Sequence, residues 1–118
     1  MLRGVVARLL GGKRTQKSDF QRVAVVATLL PGSRDRAAEI IAEGPPYGLR
    51  LAGFRGHSVF LADEVVVFVF EGADIEGLLS DLVNDRTRSA AFAVWAPLLQ
   101  GTPVLAREEF YWQAGEPD

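Results

Sequence analysis

The chain has 118 residues, no cysteine, one histidine and a net charge of −2. That inventory excludes a disulfide framework, a thiolate metal site and, within one copy, a multi-histidine metal cage. Hydrophobic residues at 48% and charged residues at 24% argue against disorder and allow a core of useful size without covalent staples.

Residues 1–20 read as a basic arm. Through residue 22 there are six basic side chains against Asp19 alone, a net +5, whereas residues 23–118 carry seven arginines, no lysine and fourteen acids, a net −7. An acidic body argues against a nucleic-acid face on the domain, because neutralising phosphate needs clustered Lys and Arg. In the arm, Leu2, Val5, Val6, Leu9 and Leu10 interleave with basic residues, but Arg8 splits the run of about seven apolar residues that a secretory signal requires. A loosely docked or flexible terminal segment is the simpler reading. No stretch approaches the roughly 18–20 apolar residues of a membrane span, and the lack of cysteine fits a cytoplasmic setting. Gly11-Gly12-Lys13 lacks the spacing and the preceding strand of a phosphate loop.

Residues 21–113 read as one domain and 114–118 as a polar tail. Arg22 to Leu30 predicts a strand with both faces apolar, stopped by Pro31-Gly32. Ser33 is placed to cap a helix carrying Ala37, Ile40 and Ile41 on one stripe and ending at Gly44 before two prolines. Leu49 to Leu61 predicts a second extended segment, with a bend or bulge where Gly53 and Gly56 fall. After a short polar break, Val65 to Phe70 is the strongest strand, so the pair forms an antiparallel hairpin. Asp74 is placed to cap a helix whose Ile75, Leu78, Leu79, Leu82 and Val83 follow helical spacing. A further helical stretch runs from about Arg88 to Leu99, with Pro97 kinking it or confining its last turn. Gly101-Thr102-Pro103 resets the chain, and Val104 to Trp112 predicts the final strand.

The order is βαββαβ, which predicts an α+β, ferredoxin-like domain: a four-stranded antiparallel sheet with both helices on one face. A lone sheet of that kind should alternate apolar and polar residues. Val65, Val67 and Val69 point one way while Val66, Phe68 and Phe70 point the other. Something must cover the second face, and no spare helix is long enough. A second copy of the sheet is the economical answer, so a homodimer is expected.

His57 is the first candidate for chemistry, because its titration range suits acid–base work near neutrality. Strict alternation puts it on one face with Arg55, Val59 and Leu61, and puts Phe54, Ser58 and Phe60 on the other; a bulge at Gly56 would upset that assignment. The plainer role is a histidine hydrogen-bonded at the sheet edge or dimer seam. Tyr47, Arg50 and Arg55 follow the first helix and could clamp a carboxylate or phenolate, arginine supplying a two-pronged donor; otherwise they are solvated arginines and a tyrosine closing the end of the fold. Phe92 and Trp95, with Tyr111 and Trp112, could wall an apolar pocket, or be ordinary aromatic core. No Gly-x-Ser-x-Gly elbow occurs, and the acids are explained by solubility and capping.

Over about residues 20–113, the element order, the two-faced apolar strands and the Phe54 to Phe70 region with its lone His57 resemble the dimeric α/β-barrel superfamily. That group includes antibiotic-biosynthesis monooxygenase-like and stress-responsive barrel proteins. The resemblance implies two sheets packed face to face into a barrel and, in many members, a pocket for a small apolar molecule between sheet and helices. Some related barrels use a histidine to ligate heme, but no supporting motif accompanies His57, and no catalytic residue carries over. Two functions follow as expectations: a domain that binds or transforms a small apolar or aromatic molecule without a cofactor, in the manner of a monooxygenase or isomerase, or a non-enzymatic dimerisation or ligand-sensing domain.

Overall fold

The computed structural model describes residues 20–45, 48–84 and 90–115, those at 84 and 90–92 by backbone alone. The basic arm (all but its last residue) and Tyr47 lie outside the described residues. Over the described residues the fold is α+β: a four-stranded antiparallel open sheet with three short helices.

Strand β1 (Phe20–Leu29) and strand β3 (Val65–Ala73) form the centre of the sheet, flanked by β2 (Phe54–Leu61) and β4 (Leu99–Arg107), in the order β2-β3-β1-β4. Helix α1 (Arg34–Glu43) follows β1; α2 (Glu76–Asn84) and α3 (Ala90–Trp95) lie between β3 and β4. Val23, Val25, Ala27 and Leu29 of β1 stand opposite Arg107, Leu105 and Leu99 of β4 and Phe70, Phe68 and Val66 of β3 on the helix-bearing side. All of these but the exposed Arg107 and the half-buried Leu105, which packs against them, form one buried core with Ala37, Ile40, Ile75, Leu79, Val83, Trp95 and Leu98. The hairpin and the two-faced β3 agree with the sequence.

Several boundaries differ, each for a local reason. The second segment is a strand only from Phe54. Before it, the backbone N–H groups of Ala52, Gly53 and Phe54 donate to Gly48, Arg50 and Leu49 and wind the chain into turns. The late helix ends sooner than expected: α3 stops at Trp95, and Pro97 sits in a 3₁₀ turn (Ala96–Leu98), the tighter winding that tolerates proline in its first turn. The last strand begins and ends five residues earlier than expected. Gly101-Thr102-Pro103, which reads as a break, is absorbed inside β4. There the register slips between Val26↔Val104 and Thr28↔Gln100, and Gly101 takes φ +79°, a conformation glycine adopts at little cost. Glu108–Gln113 continues past the sheet without strand pairing.

The start of α2 also departs from expectation. Asp74 takes φ +53°, and the helix opens one residue later, Leu79 N–H donating to the Ile75 carbonyl. The Glu76 N–H, one of the donors a helix leaves unpaired at its start, donates to Gln21 Oε1 at 2.7 Å. A side chain of β1 thus caps α2, and Glu76 accepts from Arg107 Nε of β4 at 2.7 Å. Among the described residues no helix is long and apolar enough to cross a membrane.

Candidate functional site

The site lies at the β2 edge, where three features of the sequence converge. Gly44 ends α1 at φ +92°, the turns after Gly48 raise a loop beside the sheet, and Gly53 takes φ +93° as the chain enters β2. Between Phe54 and Gly56 the pairing with β3 slips: Phe54 opposes Gly72 while Gly56 opposes Glu71. The extra residue is Arg55. A Cβ on Gly56 would lie 2.8 Å from Glu71 Oε1, so the bulge places its smallest residue where the partner strand crowds it.

The bulge overturns the strict alternation. Phe54 joins His57, Val59 and Leu61 on the helix-bearing side: its ring centroid is 4.8 Å from that of Phe70, and His57 stacks on the same ring at 4.4 Å with planes 28° apart. Arg55 leaves that set, and its guanidinium lies over the Phe20 ring at 5.3 Å. Strict alternation misplaces both Phe54 and Arg55, and the bulge that Gly56 signals in the sequence is the reason.

Beside these rings is an open groove of about 760 Å³ lined by Pro45, Leu49, Arg50, Gly53, Phe54, Arg55, Gly56 and His57, within the size range of small-molecule sites. A recess of about 50 Å³ lies deeper, between α1, α3 and the sheet, walled by Ile40, Ile41, Val59, Phe68 and Trp95 among others. His57 lines both. Its Nδ1 is 3.0 Å from the Val69 carbonyl; in the neutral ring that nitrogen donates, which leaves the lone pair on Nε2. Burial lowers the His57 pKa below its ordinary value, and the hydrogen bond to Val69 only partly opposes this. Arg50 and Arg55 are the basic residues among those lining the groove, although Arg55 turns its guanidinium over Phe20, and the imidazole adds no positive charge of its own at neutral pH.

The expected site residues divide. His57, Arg50 and Arg55 share the groove, and Trp95, buried and edge-on to Phe68 at 4.9 Å, shares the recess with His57. Tyr111 is elsewhere. Its ring lies under the Arg22 guanidinium at 4.1 Å, and Arg22 pairs across the sheet with Glu71, on the side away from the helices. Trp95 and Tyr111 therefore do not wall one pocket. Tyr47 lies outside the described residues, as does the side chain of Phe92 in α3. Pro45, Leu49 and Phe54 supply the apolar wall that composition alone did not single out. Comparison with protein families, curated proteins and solved structures finds no match to the chain.

Proposed function

We propose that this chain binds a small, largely apolar or aromatic molecule carrying an acidic group, in the groove between the α1–β2 loop and the bulged start of β2. The observation that carries the reading is His57, one side chain that lines both an open groove and an apolar recess behind it. A flat ring would extend the Phe54–Phe70–His57 stack, and Arg50 and Arg55 at the groove would pair with a carboxylate or phenolate. If turnover occurs, a monooxygenase- or isomerase-like step without a cofactor is the reaction class.

The expected test is a ¹H–¹⁵N NMR titration with 2-naphthoate, with neutral 2-naphthalenemethanol as control. Naphthoate should shift amides across residues 49–57, Arg50→Gln should weaken it several-fold, and the alcohol should bind less tightly. Shifts scattered over the surface, or none, would remove the proposal.

A second reading, that the chain is a non-enzymatic dimerisation or sensing domain, draws on the sheet side away from the helices. Ala24, Val26, Val65, Val67 and Val69 lie there by register with Phe60, 59% exposed, and Val104, 62% exposed. Such a contiguous apolar face suits an interface. The strand order, with helical crossovers on one side, supports the ferredoxin-like and dimeric α/β-barrel reading, in which a second copy covers this face. This reading gains if His57→Ala changes neither stability nor ligand capture.

A further inference from the structure

The segment after β4 carries three consecutive aromatics, each more than half exposed among the described residues. Phe110 is 80% exposed, Tyr111 52% and Trp112 67%. Aromatic side chains of this size rarely stand so far out of a folded surface without a partner. The segment is nevertheless held. Arg22 lies 3.0 Å from Glu108 Oε2 through Nε, in charge contact without the alignment of a hydrogen bond, and its guanidinium covers the Tyr111 ring. Both anchors are on the open side of the sheet, where Arg22 and Glu71 face each other. Tyr111 is thus turned to its own sheet, while Phe110 and Trp112 stay largely exposed among the described residues.

We infer that Glu108–Gln113 is an exchange arm that seats Phe110 and Trp112 on a second copy of this chain; the inference rests on the homodimer reading of the open face. Area supports that occupant. At their exposures Phe60, Phe110, Tyr111 and Trp112 alone offer on the order of 500 Å², and with the valines of the face this approaches the roughly 800 Å² per partner of a stable complex. Position supports it too. β4 is an edge strand and the arm leaving its end turns onto the open side of the sheet, held there by Arg22, so a two-fold axis through that face lets each arm meet the other copy's surface. Charge disfavours a lipid occupant, because Glu108 and Glu109 precede the aromatics and Glu116 and Asp118 follow them, and anionic membrane surfaces attract basic segments instead.

Trp112 is its own probe. The chain has two tryptophans, and Trp95 is buried in the core, so the emission of the native chain minus that of Trp112→Phe isolates the arm. Across a dilution series followed by light scattering, that component should be blue-shifted and shielded from acrylamide where the chain is dimeric and become exposed as it dissociates. Phe110→Ser with Trp112→Ser should raise the dimer Kd at least about tenfold while leaving the far-UV spectrum unchanged. A dimer whose Trp112 stays fully quenchable and whose Kd ignores the double variant overturns the arm and leaves the homodimer standing. A chain monomeric at every concentration overturns both. Shielding of Trp112 that appears only with phosphatidylcholine vesicles also overturns the arm.

Discussion

At the scale of the residue, His57 titrates against its own burial. Its folded pKa lies below the ordinary 6.5, so below that pH the unfolded chain binds more protons than the folded one. The stabilising difference is fully present above the unfolded pKa and is lost as pH falls through the folded value. His57→Phe keeps a flat ring over Phe70 and removes the titration. Urea midpoints from pH 7.5 to 5.5 should therefore fall for the native chain and stay nearly level for the variant; parallel curves would refute the assignment. Gly72 gives a second test. A Cβ there would meet the Gly53 carbonyl at 2.8 Å and Ile75 Cγ2 at 2.9 Å, backbone and core rather than a movable side-chain tip. Gly72→Ala should cost about 1–3 kcal/mol and weaken naphthoate binding by displacing Phe54, readable from denaturant curves and the same NMR titration. The candidate site was half legible in the sequence. His57 stood out as the lone histidine and Arg50 and Arg55 by proximity, but Gly72 was invisible, because its crowding arises only once β2 and β3 are in register.

At the scale of the element, legibility followed how far each segment's pattern depended on distant partners. β3 was plain because six consecutive apolar residues carry their own signal. α1 was plain because Gly44 stops it before two prolines. β4 was misplaced because Gly101-Thr102-Pro103 is a turn signal by composition, and only pairing with β1 converts it into a bulge. The cap of α2 was misread for a similar reason. Asp74 has the right chemistry at the right distance in sequence, but the acceptor at Glu76 N–H comes from Gln21, 55 residues away. That contact makes a prediction. Gln21→Ala should lower stability by about 1 kcal/mol, measured by thermal denaturation, since it strips an acceptor from the first turn of α2. A loss confined to a few tenths would mean that water replaces the glutamine without penalty.

At the scale of the whole molecule, the open sheet face decides how stability responds to concentration. The helices bury one side of the sheet, and Leu79 and Val66 at 0% exposure show that side to be closed. The other side presents Phe60 and Val104 at around three fifths exposed, an arrangement that leaves much apolar surface in contact with water in a lone chain. If a second copy covers it, unfolding is coupled to dissociation, and mass action makes Tm depend on protein concentration. Each tenfold dilution removes about 1.4 kcal/mol per dimer, and two chains of this length unfold with an entropy that converts this to a fall of about 3 °C. The native chain should follow that slope between micromolar and hundred-micromolar concentrations. Phe60→Asp places a charge in the middle of the paired face, which should flatten the slope by holding the chain monomeric; because Phe60 is already solvent-facing in the single chain, the variant should still fold. A native Tm that ignores concentration over this range would leave the apolar face without a second copy, and the β2-edge groove would then have to be understood as the site of a monomer.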